Sequence, residues 1–448
     1  MPRSLDFEYL LTPNGLEHRR RVHMDDAGRI RSIEAAGEDG FDARFAIPGM
    51  PNAHSHVFQR AMAGFAEAKA GDDTFWSWRR HMYRLAAVLT PDDLYAIARR
   101  AYADMLAAGF TSVAEFHYIH HSPDDETSGR MGRAVTEAAR DAGIRQVFLP
   151  VYYRQGGFGK AASAEQGRFL HPTPESFGEF LSQFTDVTCG IAPHSLRAVP
   201  AAELGRLVEV AEAVLGKSFP IHMHVAEQLP EVSECQKHHG ARPVTVLANS
   251  VDLDSRWNIV HATHADEDER ALIINSGARV VLCPLTEAYL GDGLFEAGAY
   301  MRGGGQWGIG SDSNVRIDAI EELRVLEYGQ RLARRQRACL ADASGLGLPL
   351  WQHAAGGGAE ALQIDAGVVQ PGRFADFVTL DLAAPALAGV APDRVMDAWV
   401  TAGSRQDIAA VYVGGKMLAG PAGISGASDV ASDYSRVMKS VNERMRAL

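Results

Sequence analysis

Eight short apolar runs alternate with amphipathic helical patterns between residues 45 and 313, and segments of strand-like alternation flank them on both sides, which together predict an α/β fold. Eight is the number of strands that closes a (β/α)8 TIM barrel. The flanking segments are each too small to bury a face alone, so they are expected to pair into one small β-sandwich domain beside the barrel. The texture of the chain sets the boundaries: 1–47 and 367–448 for the small domain, the second part ending in a helix, and 48–366 for the barrel.

The elements follow in order. Residues 4–47 read as short strands separated by the turn signals "TPNG", Thr12 to Gly15, and "DAG", Asp26 to Gly28. The barrel strands are "FAIPGMPNAHSH" (45–56), "GFTSVAEFHY" (109–118), "IRQVFLPVYY" (144–153), "VTCGIAPHS" (187–195), "FPIHMHVAE" (219–227), "WNIVHATH" (257–264), "ARVVLCPLT" (278–286) and "QWGIGSDS" (306–313). Helices between them carry their own punctuation. Thr90 is placed as an N-cap with Pro91 at the first helical position and two aspartates after it, and "ADEDERALIINSG" opens on acids and closes on Gly277. Strands return after residue 366, and Gly414-Gly415 suits a tight hairpin turn.

Composition narrows the function. The net charge is −12, from 44 basic and 56 acidic residues, and no run of lysines or arginines offers a surface for nucleic acid or an anionic membrane. An anionic substrate would therefore need local arginines. The four cysteines, Cys189, Cys235, Cys283 and Cys339, are scattered without a CxxC spacing, so neither a disulfide framework nor a thiolate zinc site is expected, and a reducing cytoplasm is. No segment reads as an export signal or a membrane span.

In a parallel barrel the chemistry collects at the C-terminal strand ends. Strand 1 ends with His54 and His56, strand 4 with His194, strand 5 with His224 and Glu227, strand 6 with His261 and strand 8 with Asp312. Period-two geometry turns both histidines of a His-x-His pair to one side, where buried imidazoles require ligation or hydrogen bonds. Three imidazoles and a carboxylate suit Zn²⁺ or Fe²⁺ better than Mg²⁺ or Ca²⁺, and such an ion makes water nucleophilic near neutral pH. "CQKHH" (235–239) reads as a polar, solvent-facing stretch, and the adjacent histidines of "HYIHH" (117–121) alternate faces, so neither is assigned to the metal.

His54-x-His56, the histidines after strands 5 and 6, Asp312 in "GIGSDSN" and the stretch "GVVQPGRFADFVTLD" (367–381) together resemble the amidohydrolase superfamily. The resemblance implies His54, His56, His224 and Asp312 as ligands. Because strand 4 offers His194 where binuclear members place a bridging lysine or glutamate, it implies one Zn²⁺ or Fe²⁺ per chain. "HMHVAE" is similar to the deaminase branch, which implies Glu227 as proton shuttle with His261 and Asp312 orienting and activating water. His222, one layer deeper, would support the core.

"CPLTEAYLGDG" departs from the "CPxSNxxL" of nucleobase deaminases at Thr286-Glu287. With "NAHSHVFQRAMAG", "APHSLRAV" and "HVAEQ", it resembles instead the formimidoylglutamate deiminases of bacterial histidine degradation. Those enzymes hydrolyse N-formimidoyl-L-glutamate to N-formyl-L-glutamate and ammonia, and the likeness also implies a homodimer. A substrate with two carboxylates calls for guanidinium clamps. By resemblance these are Arg197 and Arg80, with Arg79 and Arg84 competing in the loop after strand 1, while Gln59, Tyr118 and His194 complete the substrate shell. The alternatives are a deaminase of guanine or a related ring, a chlorohydrolase-like relative, and a silent scaffold that need not retain metal.

Overall fold

The computed structural model describes residues 4–37, 40–65, 75–122, 129–421, 423–424 and 426–447, with the side chains of 75–77 outside that description. Four strands open the chain: β1 (Ser4–Thr12), β2 (Gly15–Met24), β3 (Ile30–Ala35) and β4 (Ala43–Pro48). Eight short strands follow: β5 (Met50–Ser55), β6 (Phe110–His117), β7 (Arg145–Tyr152), β8 (Ala192–Pro193), β9 (Ile221–Val225), β10 (Trp257–His261), β11 (Arg279–Leu282) and β12 (Trp307–Ile309). Four more close it: β13 (Phe377–Leu380), β14 (Ile408–Val413), β15 (Lys416–Gly420) and β16 (Gly423–Ile424).

β5 to β12 are parallel and form two four-stranded sheets, β5-β6-β7-β8 and β9-β10-β11-β12. Isolated bridges, Ser55 with Asp312 at one seam and Ile191 with Ile221 and Ser195 with His224 at the other, join their edges into the closed barrel. β5, β6, β9 and β10 are buried at every position, as expected when helices cover the outside and side chains fill the inside. The 187–195 run pairs as a strand only at Ala192–Pro193. Pro193 has no N–H to give a ladder, and at Gly190 a Cβ would meet the Pro220 carbonyl at 2.3 Å.

The 45–56 run is two strands rather than one. β4 pairs with β1 and β13, β5 pairs with β6, and Gly49 turns between them. The terminal segments build one eight-stranded sheet in the order β16-β15-β14-β13-β4-β1-β2-β3. Residues from both halves, among them Leu5, Val22, Phe377 and Tyr412, share a separate apolar cluster, so the sheet folds over its own core in the manner of a sandwich. Gly414 and Gly415 have φ of 56° and 74° and turn β14 into β15.

Two helices position the site. α1 (Phe75–Val88) occupies a stretch expected to be loop, and α2 (Pro91–Ala107) starts at a capping box in which Thr90 and Asp93 satisfy each other's backbone N–H. The C-terminal helix, Ala427–Ala447, returns from the small domain and packs on both. It fastens α1 through Arg84 to the Met445 carbonyl at 2.8 Å and Arg444 to the Val88 carbonyl at 2.7 Å. Among the described residues, no helix is long and apolar enough to cross a membrane.

Candidate active site

The barrel closes where the chemistry sits. The Asp312 N–H donates to the His54 carbonyl at 3.0 Å and the His56 N–H to the Asp312 carbonyl at 2.8 Å, so two backbone bonds set His54, His56 and Asp312 side by side. This approach requires Gly310, because a Cβ there would meet His54 Cβ and O at 2.7 Å. Ala226, His261, Ala262, Asp312 and Asn314 all have positive φ, although none is glycine. Strained backbone of this kind is retained where it aims side chains at a common point.

Tautomers define what converges there. His56 Nδ1 lies 2.8 Å from the Phe116 carbonyl and His224 Nδ1 lies 3.0 Å from the His194 carbonyl. A carbonyl only accepts, so each Nδ1 carries the hydrogen and each Nε2 a lone pair. Those Nε2 atoms are 3.4 Å apart, and His54 Nε2 is 3.1 Å from each. Asp312 Oδ1 completes the group at 3.2 Å from His56 Nε2 and 3.5 Å from His54 Nε2. Facing lone pairs repel unless a cation lies between them, and four donors about 2.05 Å from a tetrahedral ion would be spaced at about 3.3 Å. His54, His56, His224 and Asp312 therefore fit a divalent metal, and all four are buried. Burial lowers the His54 pKa to about 3, which keeps that imidazole neutral as a ligand must be.

His261 stands beside this group. Its Nδ1 is 3.3 Å from Glu287 Oε1, and its Nε2 is 3.7 Å from Asp312 Oδ2 and 3.9 Å from Glu227 Oε1. Burial opposes its charge, but the bond to Glu287 and the charges of Glu227 and Asp312 outweigh that and raise its pKa to about 10.

Glu227 is fixed from behind, since Glu231 accepts the N–H groups of both Ala226 and Glu227. Its Oε2 accepts from Arg197 Nη2 at 3.0 Å, in a pair whose side chains are 11% and 8% exposed. Gln59 Nε2 donates to Tyr118 Oη at 2.9 Å, and His194 Nδ1 meets Ser195 Oγ at 3.0 Å. Gln59, Tyr118, His194, Arg197, Glu227 and Asp312 all line one cavity.

α1 supplies a further part of the lining and corrects one expectation. Trp78, Arg79, Met82 and Tyr83 line the cavity, whereas Arg80 is exposed and Arg84 is tied to the C-terminal helix. The stretch is helical, so Arg79 and Arg80 point about 100° apart, and the turn brings Arg79 onto the cavity side. Arg79 Nη2 reaches Tyr153 Oη at 3.1 Å. Glu287, Tyr83 and Tyr153 are the groups that sequence reasoning did not single out, and Arg79 was named there only as a competitor of Arg80. For Glu287 the signal was present, in the Thr286-Glu287 departure. His222 binds the Ala361 carbonyl at 2.9 Å, beneath the metal group.

The amidohydrolase family profile matches residues 45–418. The chain belongs to the amidohydrolase family. This amidohydrolase is 40% identical over 425 residues to the formimidoylglutamate deiminase of Pseudomonas aeruginosa, spanning 91% of this chain and 93% of that protein. It is 28% identical over 387 residues to a 5-methylthioadenosine/S-adenosylhomocysteine deaminase of Natronomonas pharaonis, covering 84% of each. A crystal structure of an amidohydrolase from Brucella melitensis superposes with a TM-score of 0.89 at 38% identity, over 98% of this chain and 99% of that one. The amidohydrolase is thus a hydrolase acting at C–N bonds, and its His-His-His-Asp cluster suits the family's dependence on metal.

Proposed function

We propose that the enzyme hydrolyses N-formimidoyl-L-glutamate to N-formyl-L-glutamate and ammonia, in histidine degradation. The observation that carries the reading is that Arg197 and Arg79 line the same cavity as Glu227 and the metal-site residues His56, His224 and Asp312. Two guanidiniums in an acidic protein match a substrate with two carboxylates, and a purine ring would have no use for both. The 40% identity to a formimidoylglutamate deiminase supports the same substrate.

A Zn²⁺ or Fe²⁺ held by His54, His56, His224 and Asp312 would supply the Lewis acidity that makes water nucleophilic near neutral pH. Glu227 takes the proton that water loses as its oxygen bonds to the formimidoyl carbon and returns it to the terminal nitrogen, then carries the remaining proton of the new hydroxyl to the same nitrogen. The bond from that carbon to the terminal nitrogen then breaks, ammonia leaves, and the formyl C=O remains. His261, cationic and oriented by Glu287, lies between Glu227 and Asp312 and stabilises the negative charge that develops beside them. Arg197 and Arg79 hold the carboxylates and so fix the position of the reacting carbon, with Gln59, Tyr118 and His194 enclosing it.

A cytoplasmic homodimer with one metal ion per chain belongs to the same reading. The test is ammonia release from N-formimidoyl-L-glutamate, guanine and S-adenosylhomocysteine by protein of measured zinc and iron content. The reading requires the first to be preferred by orders of magnitude in kcat/KM. Preference for either ring compound would overturn it.

A further inference from the structure

Behind Arg79 lies a chain of hydrogen bonds whose direction is fixed by one backbone group. Gln166 sits in the 3-10 turn Ala164–Phe169 and is 3% exposed. Its Oε1 accepts from the Ser163 N–H at 2.8 Å. A backbone N–H can only donate, so this contact settles which end of the amide is oxygen. The other end, Nε2, is 3.0 Å from Tyr83 Oη and 2.7 Å from Tyr153 Oη. Both phenols must accept from it.

The consequences run toward the cavity. Tyr153 Oη also accepts from Arg79 Nη2 at 3.1 Å, which fills its two lone pairs. Tyr153 thus has no lone pair left for Tyr83, whose Oη accepts from Gln166 and whose hydrogen is left for the cavity that Tyr83 lines. Arg79 has no acceptor atoms and lies over the Tyr83 ring at 5.1 Å. The whole wall therefore presents donors only.

We propose that Tyr83 is a direct carboxylate-binding residue, and that Gln166 is the positioning residue that polarises the Tyr83–Tyr153–Arg79 wall into a donor-only clamp for the substrate's side-chain carboxylate. The proposal rests on the reading of the substrate as a dicarboxylate. Arg197 is bonded to Glu227 beside the reacting centre, so it takes the carboxylate next to the formimidoyl nitrogen, and the α1 wall takes the remote one.

Gln166→Glu keeps the size of the side chain and its bond to Ser163, but both phenols must then donate to it. The Tyr83 hydrogen turns away from the cavity. Kinetics are measured for wild type, Tyr83→Phe, Gln166→Glu and the double variant, with melting temperatures as the folding control. Tyr83→Phe and Gln166→Glu are each expected to raise KM for N-formimidoyl-L-glutamate about 10- to 100-fold, the loss of one hydrogen bond to a charged group, with kcat within about threefold. The double variant is expected to be little worse than Gln166→Glu, because both changes remove the same donor. An unchanged KM in Tyr83→Phe, or effects of the two changes that multiply, overturns the proposal.

Calorimetric binding of N-acetyl-L-glutamate, which carries both carboxylates but no formimidoyl group, reads the wall without turnover. Weaker binding to Tyr83→Phe than to wild type supports the clamp, and equal binding refutes it. Failure of the wild type to release ammonia would refute the substrate reading instead.

Discussion

Replacing Arg79 and Arg80 separately by methionine distinguishes two neighbours that the sequence presents as equals. Arg79 lines the cavity and is held by Tyr153 at 3.1 Å, with its guanidinium 5.1 Å from the Tyr83 ring, whereas Arg80 faces solvent. Truncating one partner of an enclosed charged hydrogen-bonded pair costs about 2–5 kcal/mol. Arg79 is only partly buried, so the lower half of that range applies. About 3 kcal/mol corresponds to a KM roughly 150-fold higher. An exposed helical side chain costs within about 0.5 kcal/mol, so Arg80→Met should keep KM within about twofold. Initial rates of ammonia release over a range of N-formimidoyl-L-glutamate concentrations measure both. A larger KM effect from Arg80→Met than from Arg79→Met would refute the assignment of the α1 face.

Asp312→Asn should abolish turnover, and near-normal activity with metal still bound would contradict the roles given to that carboxylate. Glu287→Gln should lower the His261 pKa from about 10, read by NMR titration, and reduce kcat about 10- to 100-fold, as loss of an orienting partner does. Glu115 is buried and accepts from Ser55 Oγ and the Val57 N–H; burial raises its pKa from the ordinary 4.5 to about 8. Between those values the unfolded chain releases a proton that the folded chain keeps, so stability should fall as pH rises from about 4.5 to 8 and level off above. Glu115→Gln should flatten that slope in denaturant titrations at a series of pH values. Thr90→Ala removes one half of the α2 capping box and should cost about 1 kcal/mol in the same titrations without moving KM.

What could be read from the sequence was what local chemistry decides. Thr90-Pro91-Asp93 announces a helix start because those side chains satisfy groups within one turn, and Gly414-Gly415 announces a hairpin because only positive φ closes it. His54, His56, His224 and Asp312 could be placed because period two and barrel topology turn strand-end residues inward, and they meet within hydrogen-bonding distance. Arg79 could not be chosen over Arg80. The rotation of α1 about its axis is set by packing against a helix over 350 residues later, through Arg444 and the Val88 carbonyl. Glu287 was visible as a departure from a motif, but its purpose depends on His261, 26 residues away in sequence. Gln166 carried no signal at all, since a lone glutamine in a short turn has meaning only beside the two phenols it joins.

The chemistry turns on which carbon–nitrogen bond breaks. Glu227 is placed to return its proton to the terminal nitrogen of the formimidoyl group, so NMR of the products from ¹³C-labelled N-formimidoyl-L-glutamate should show N-formyl-L-glutamate, with ammonia in equal amount. Label recovered as formamide, with free glutamate beside it, would mean that the inner bond is cleaved and would contradict the role given to Glu227.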